Sequence, residues 1–146
     1  MRARIRASSA DDAQALFQVW LTAVAATHDF LSREDHESIA VLVRDQYLPT
    51  AVLDVVVDES DRPLAFMGMT GNAIDSLFVH AAARGTGLGR QLVELARTRA
   101  TALATEVNEQ NRQGLAFWTH MGFRRTGRTE VDGQGRPYPL LIMAWP

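Results

Sequence analysis

Arg84-Gly85-Thr86-Gly87-Leu88-Gly89-Arg90 places three alternate glycines between a strand-like run and a strongly helical one. Glycine admits backbone conformations and close approaches that a Cβ blocks, so successive amide N–H groups can converge on one point. The helix behind the turn adds unsatisfied N–H groups of its own and the positive end of its dipole. With Arg84 and Arg90 at its edges, the turn suits an anion. A phosphate or pyrophosphate is its natural guest.

Such a turn needs a strand ahead of it and a helix behind it, and the apolar periodicity provides both. Ala73 to Val79 reads as a strand and Gly87 to Leu103 as a helix, with Leu88, Leu92, Val93, Ala96, Ala100 and Leu103 on one face. Upstream, Arg4 to Arg6 alternates as an edge strand. Ser8 or Ser9, with Asp11 and Asp12, supplies cap and dipole chemistry for a helix from about Ala10 to Ala26. Ser32 caps a second helix to about Tyr47, with Pro49 beyond its end. Val52 to Val57, Leu64 to Thr70 and Ala73 to Val79 read as a meander joined by tight turns. Downstream come a strand at Thr105 to Val107, a helix at Asn108 to Met121 closed by Gly122, and a hairpin of Phe123 to Val131 with Tyr138 to Trp145. The order β-α-α-β-β-β-α-β-α-β-β describes one mixed α/β layer.

A chain of 146 residues is sized for one domain, residues 1–146, with a core that needs no staples. Fifteen Lys and Arg against 17 Asp and Glu give a net charge of −2, so a nucleic-acid partner is not expected. With no cysteine there is no disulfide framework and no thiol nucleophile. No apolar run approaches the ~20 residues of a membrane span, and the charged start lacks the apolar core of a signal peptide. The expectation is a cytoplasmic protein without a membrane partner. The four histidines show no ligand spacing, and no metal is expected.

The turn admits three phosphate-bearing guests. A Walker loop needs a lysine after its last glycine, and none follows. A dinucleotide fingerprint is spaced G-x-G-x-x-G within a parallel βαβ unit, whereas here the spacing is G-x-G-x-G after a meander. The third guest is coenzyme A. Arg84-x-x-Gly87-x-Gly89, followed by Asn108-Glu109-Gln110-Asn111, Ala116-Phe117-Trp118 and Gly122-Phe123, resembles the paired motifs of the GNAT N-acetyltransferase superfamily. The resemblance runs over essentially the whole chain, and the THDF, NEQN and PYPLL segments look closest to its bacterial YjaB-like branch.

The resemblance implies an α/β (α+β) fold: a mixed, mostly antiparallel sheet flanked by about four helices. It implies acetyl-CoA as acyl donor and direct attack by an amine in a ternary complex. Backbone amides from Gly85 through Thr86, Gly87, Leu88 and Gly89 to Arg90 would hold the CoA pyrophosphate. Leu77, Phe78 and Val79 would pair with the pantetheine amides, the N–H near Leu77 polarising the thioester carbonyl. Asn108 or Asn111 would bond to the cofactor arm, with Phe117 and Trp118 beside it; alternatively, Asn108 only caps the next helix.

Two proton-transfer tasks accompany amine attack. Many relatives place an acidic tyrosine where this chain has Trp118, and indole can only donate a hydrogen bond. Tyr138 is the substitute donor considered, against a ring that merely packs. For the base, strand alternation puts Asp75 with Leu77 and Val79 on one face of the strand, opposite Ile74, Ser76 and Phe78. The family's usual carboxylate lies two positions earlier, at Ala73. His28 and Asp29 form a second candidate pair, a base beside an amine-binding carboxylate, set against simple helix termination. The expected activity is transfer of acetyl to an unidentified small-molecule or protein amine. The alternative is a CoA-binding sensor that has lost transfer with its tyrosine. Monomer and homodimer are both compatible with the sequence.

Overall fold

The computed structural model describes residues 3–146. Among them, seven strands and four helices follow in the order β1 (Arg4–Ala7), α1 (Ala13–Thr27), α2 (Arg33–Leu42), β2 (Asp54–Val57), β3 (Pro63–Thr70), β4 (Ala73–Val79), α3 (Leu88–Arg99), β5 (Leu103–Asn108), α4 (Arg112–His120), β6 (Arg124–Thr129) and β7 (Leu140–Trp145). The strands are hydrogen-bonded in the order β1-β2-β3-β4-β5-β7-β6. β4 and β5 are parallel, as strands joined by a crossover helix must be, whereas β1–β2, β2–β3, β5–β7 and β6–β7 are antiparallel. The sheet is mixed and mostly antiparallel, as expected.

The chain divides into two compact units: the first holds the chain up to Gly68 together with Ser76–Leu92, the second Met69–Asp75 and Val93–Pro146. In the first, Leu16, Val19, Trp20 and Val24 of α1 recur at helical spacing and pack on Val55, Val57 and Phe66, whose alternation along β2 and β3 presents one apolar face. Each such burial contributes about 1.5–3 kcal/mol. The start of α1 is prepared by a 3-10 turn, Ala10–Asp12, in which Asp12 accepts from the Ser9 amide at 2.8 Å and from Arg6 through two guanidinium nitrogens at 2.8 and 2.9 Å. Arg6 holds the Asp12 carboxyl down to about 2. Ser32 caps α2 by accepting from the Asp35 amide at 3.0 Å, and the following turn, Val43–Tyr47, widens to π geometry.

Within the second unit the parallel ladder has two registered pairs, Ala73↔Ala104 and Ile74↔Thr105, fastened by Thr105 Oγ1 donating to the Ile74 carbonyl at 3.0 Å. β5 then pairs with β7 from Leu103↔Trp145 to Asn108↔Leu140. That pairing corrects two expected boundaries. The helix after the glycine turn ends at Arg99 instead of Leu103, because Leu103 enters the β5–β7 ladder. Asn108 is the last residue of β5 and does not start a helix; α4 begins at Arg112. Gly122, at φ 91°, closes α4, with the Phe123 amide donating to the Trp118 carbonyl at 3.0 Å.

Candidate active site

In the first unit, β4 runs out at Val79 into a tight 3-10 turn, Ala81–Ala83. His80 Nδ1 caps that turn by accepting from the Ala82 amide at 3.0 Å, and Thr22 of α1 holds the Ala81 amide at 3.2 Å. Thr86 Oγ1 donates back to the Ala83 carbonyl at 2.6 Å. Tied at these points, the chain enters the glycine turn with Gly85 at φ 76° and Gly87 at φ 86°, a left-handed region that side chains disfavour. A Cβ built on either glycine would meet open space, so crowding is not why glycine stands there. Buried Leu88 anchors the start of α3, whose first turn closes with the Gln91 amide donating to the Gly87 carbonyl at 3.1 Å. The amides of Leu88, Gly89 and Arg90 therefore precede the first residue that can bond within the helix. A shaped, open cradle of N–H groups fits a pyrophosphate.

The same α1 that holds this turn through Thr22 ends at Thr27, about 7.5 Å further along its axis. His28 is its C-cap, its amide donating to the Val24 carbonyl at 2.8 Å and its ring lying 5.2 Å from that of Phe30. Burial drives the His28 pKa down to about 4, against the smaller opposing pull of Asp29. The ring is thus neutral at pH 7, and Asp29 beside it is exposed.

On β4, Ser76 and Phe78 face the first unit's core: Phe78 lies 5.6 Å from Phe66, and Ser76 Oγ is 2.6 Å from the Tyr47 hydroxyl. Gly68 of β3 makes room for this hydroxyl pair. A Cβ there would collide with the Tyr47 hydroxyl and come within 2.8 Å of Ser76 Oγ. The roles of Thr22, His80 and the Tyr47–Ser76 pair were not read from sequence. Hydroxyl and imidazole caps carry a signal only once the turn they close is known.

The second unit places the remaining candidates. Asp75 is exposed near the start of β4 and accepts from Thr70 Oγ1 across the hairpin at 2.5 Å. Asn111, not Asn108, is the cap of α4, its Oδ1 accepting from the Gly114 amide at 2.9 Å. Trp118 is buried, edge-on to both Phe117 at 5.1 Å and Phe123 at 4.9 Å. Tyr138 is also buried, but it lies ahead of β7 and not within it. A cavity of about 750 Å³ in this unit, lined by Asn72, Arg97, Thr101 and Trp145 among others, contains none of the candidate residues.

Comparison with known proteins bears on this arrangement. The family described as "Acetyltransferase (GNAT) domain" matches residues 32–137. The peptidyl-lysine N-acetyltransferase YjaB of Salmonella typhimurium is 46% identical over 146 residues, 100% of each chain. The apo form of YjaB from Escherichia coli, solved in solution, superposes with a TM-score of 0.95 at 46% identity, covering 99% of this chain and 98% of that one. The PaiA N-acetyltransferase of Thermoplasma acidophilum, solved in complex with coenzyme A, shares the fold with a TM-score of 0.74 at 18% identity, covering 99% and 98%. A family match across most of the chain and a relative aligned over all of it agree with the glycine cradle on one conclusion: this chain belongs to the GNAT acetyltransferases.

Proposed function

We propose that this chain moves the acetyl group of acetyl-CoA to the ε-amine of a lysine in a protein. The observation that carries the donor half is the cradle at the end of β4, where Gly85 and Gly87 hold positive φ over open space ahead of the α3 amides. In this reading Arg84, Gly85, Thr86, Gly87, Leu88, Gly89 and Arg90 bind the pyrophosphate, while Leu77, Phe78 and Val79 offer backbone groups to the pantetheine. Asn108 and Asn111, with Phe117 and Trp118, line the arm. When bound, acetyl-CoA supplies the acetyl group as an activated thioester. The acceptor half is supported by the full-length similarity to a peptidyl-lysine N-acetyltransferase.

His28 is the group proposed to receive the amine. A lysine ammonium titrates near about 10.4, far above an imidazole lowered to about 4, so His28 does not strip the resting ammonium. Its part is to accept a hydrogen bond from the amine and take the proton that nitrogen sheds as it forms its new bond. Asp29 attracts the incoming cation. Asp75 is the alternative base and Tyr138 the candidate proton donor. The second reading, a CoA-binding sensor without transfer, is favoured by one observation: indole stands at position 118, packed between two phenyl rings.

The test combines acetyl-CoA with a panel of lysine peptides and follows thiol release and acetylated product together. The expected result is acetylated peptide, with kcat lowered about 100-fold or more in His28→Gln and CoA affinity unchanged. Tight CoA binding with no turnover on any peptide establishes the sensor instead.

A further inference from the structure

Thr27 holds two hydrogen-bonding contacts with a single hydroxyl proton. Its Oγ1 lies 2.8 Å from the Ala23 carbonyl oxygen, which can only accept, and 2.7 Å from His28 Nδ1. The proton goes to the carbonyl. The hydroxyl oxygen is then the acceptor toward the ring, so His28 Nδ1 must carry the hydrogen. A neutral imidazole has one N–H, and Nε2 is left with its lone pair.

We propose that Thr27 is a positioning residue for transfer, holding His28 as the Nδ1–H tautomer so that Nε2 is the atom that receives the acceptor amine. This rests on the reading of His28 given above and adds the residue that orients it. Three further contacts restrict the ring. The His28 amide is tied to the Val24 carbonyl, the Leu31 amide donates to the His28 carbonyl at 3.3 Å, and the Phe30 ring covers one side. Backbone and Nδ1 are thus both committed, and among the described residues no hydrogen bond engages Nε2. The titratable groups acting on the ring are Asp29, which favours its charged form, and His36, which opposes it. Burial, with His36 in the same direction, outweighs Asp29 and keeps one ring nitrogen available as an acceptor at neutral pH. In the step itself the amine, having lost its first proton to water, bonds through nitrogen to the thioester carbonyl carbon. The C–S bond breaks to release the thiolate, and one N–H bond of the amine breaks as an Nε2–H bond forms. The transient imidazolium keeps its Nδ1–H on Thr27 and afterwards returns the Nε2 proton to water.

The experiment is a long-range ¹H–¹⁵N spectrum of the full chain at pH 7, which distinguishes protonated from unprotonated ring nitrogens. Wild-type His28 is expected as Nδ1–H with an unprotonated Nε2. Thr27→Val, which cannot accept from Nδ1, is expected to shift the population toward Nε2–H and to lower kcat tenfold or more at unchanged KM for acetyl-CoA. Thr27→Ser is expected to restore both tautomer and rate. A wild-type ring protonated at Nε2 overturns the proposal, and does so even if Thr27→Val fails to fold. A shifted tautomer with unchanged kcat also overturns it. Full activity in His28→Gln overturns the reading of His28 on which it rests, whatever the tautomer.

Discussion

Gly87 combines a φ of 86° with open space where a Cβ would stand. An alanine there is opposed by its own backbone and not by a neighbour, at a cost of about 1–2 kcal/mol. Relaxation toward negative φ swings the adjacent amides out of the cradle. Gly87→Ala is therefore expected to lower thermal stability by roughly that amount and to weaken CoA about tenfold or more by calorimetric titration. The same substitution at Gly133, whose Cβ would also meet open space but whose φ is not positive, serves as the control. Unchanged CoA affinity in Gly87→Ala would remove the turn from the donor site. The glycine spacing was legible in sequence because positive φ selects one residue type so strongly. The Thr27–His28 contact was not legible, since a threonine at a helix end looks the same whether or not its hydroxyl meets the next side chain.

The order and type of every strand and helix were readable from periodicity, but their ends were set by partners the sequence does not show. Leu103 continues the apolar face of α3 and also alternates with Thr105 and Val107, so helix and strand periods coincide at one residue. The ladder with β7 decides for the strand. In Asn108-Glu109-Gln110-Asn111 both asparagines suit a helix cap, and the pairing of Asn108 with Leu140 leaves the cap to Asn111. Because the Asn111 side chain satisfies the Gly114 amide, Asn111→Ala is expected to cost about 1 kcal/mol in denaturant unfolding. Asn108→Ala, lacking that bond, is expected to cost less. If CoA affinity falls in Asn111→Ala by more than the lost stability explains, the side chain serves the cofactor arm as well as the helix.

His28 and Asp12 respond to acid in separate windows. Below pH 6.5 the unfolded chain protonates His28 while the folded chain, at about 4, does not, so stability falls as pH drops from 6.5 to 4. Asp12 contributes fully above its ordinary 3.8, and its share is lost as pH falls through about 2. Melting temperature followed from pH 7 to about pH 2 is expected to decline in wild type across the upper window and to flatten there in His28→Gln, with the lower limb retained. An identical slope in both proteins would mean that the folded His28 ring titrates normally. No helix among the described residues is long and apolar enough to cross a membrane.

The hydroxyl pair of Tyr47 and Ser76 over Gly68 restricts the order in which this lineage can accept change. A side chain at position 68 would meet the Tyr47 hydroxyl, Ser76 Oγ and, at 3.0 Å, Leu53 Cδ2, so it is admissible only after the hydroxyls have gone and Leu53 has shifted. Taken first, the glycine substitution drives a Cβ into both. Removing one hydroxyl first breaks the pair and opens room over Gly68. Three positions far apart in the chain thus share one history, with one sequence of steps open and the reverse closed.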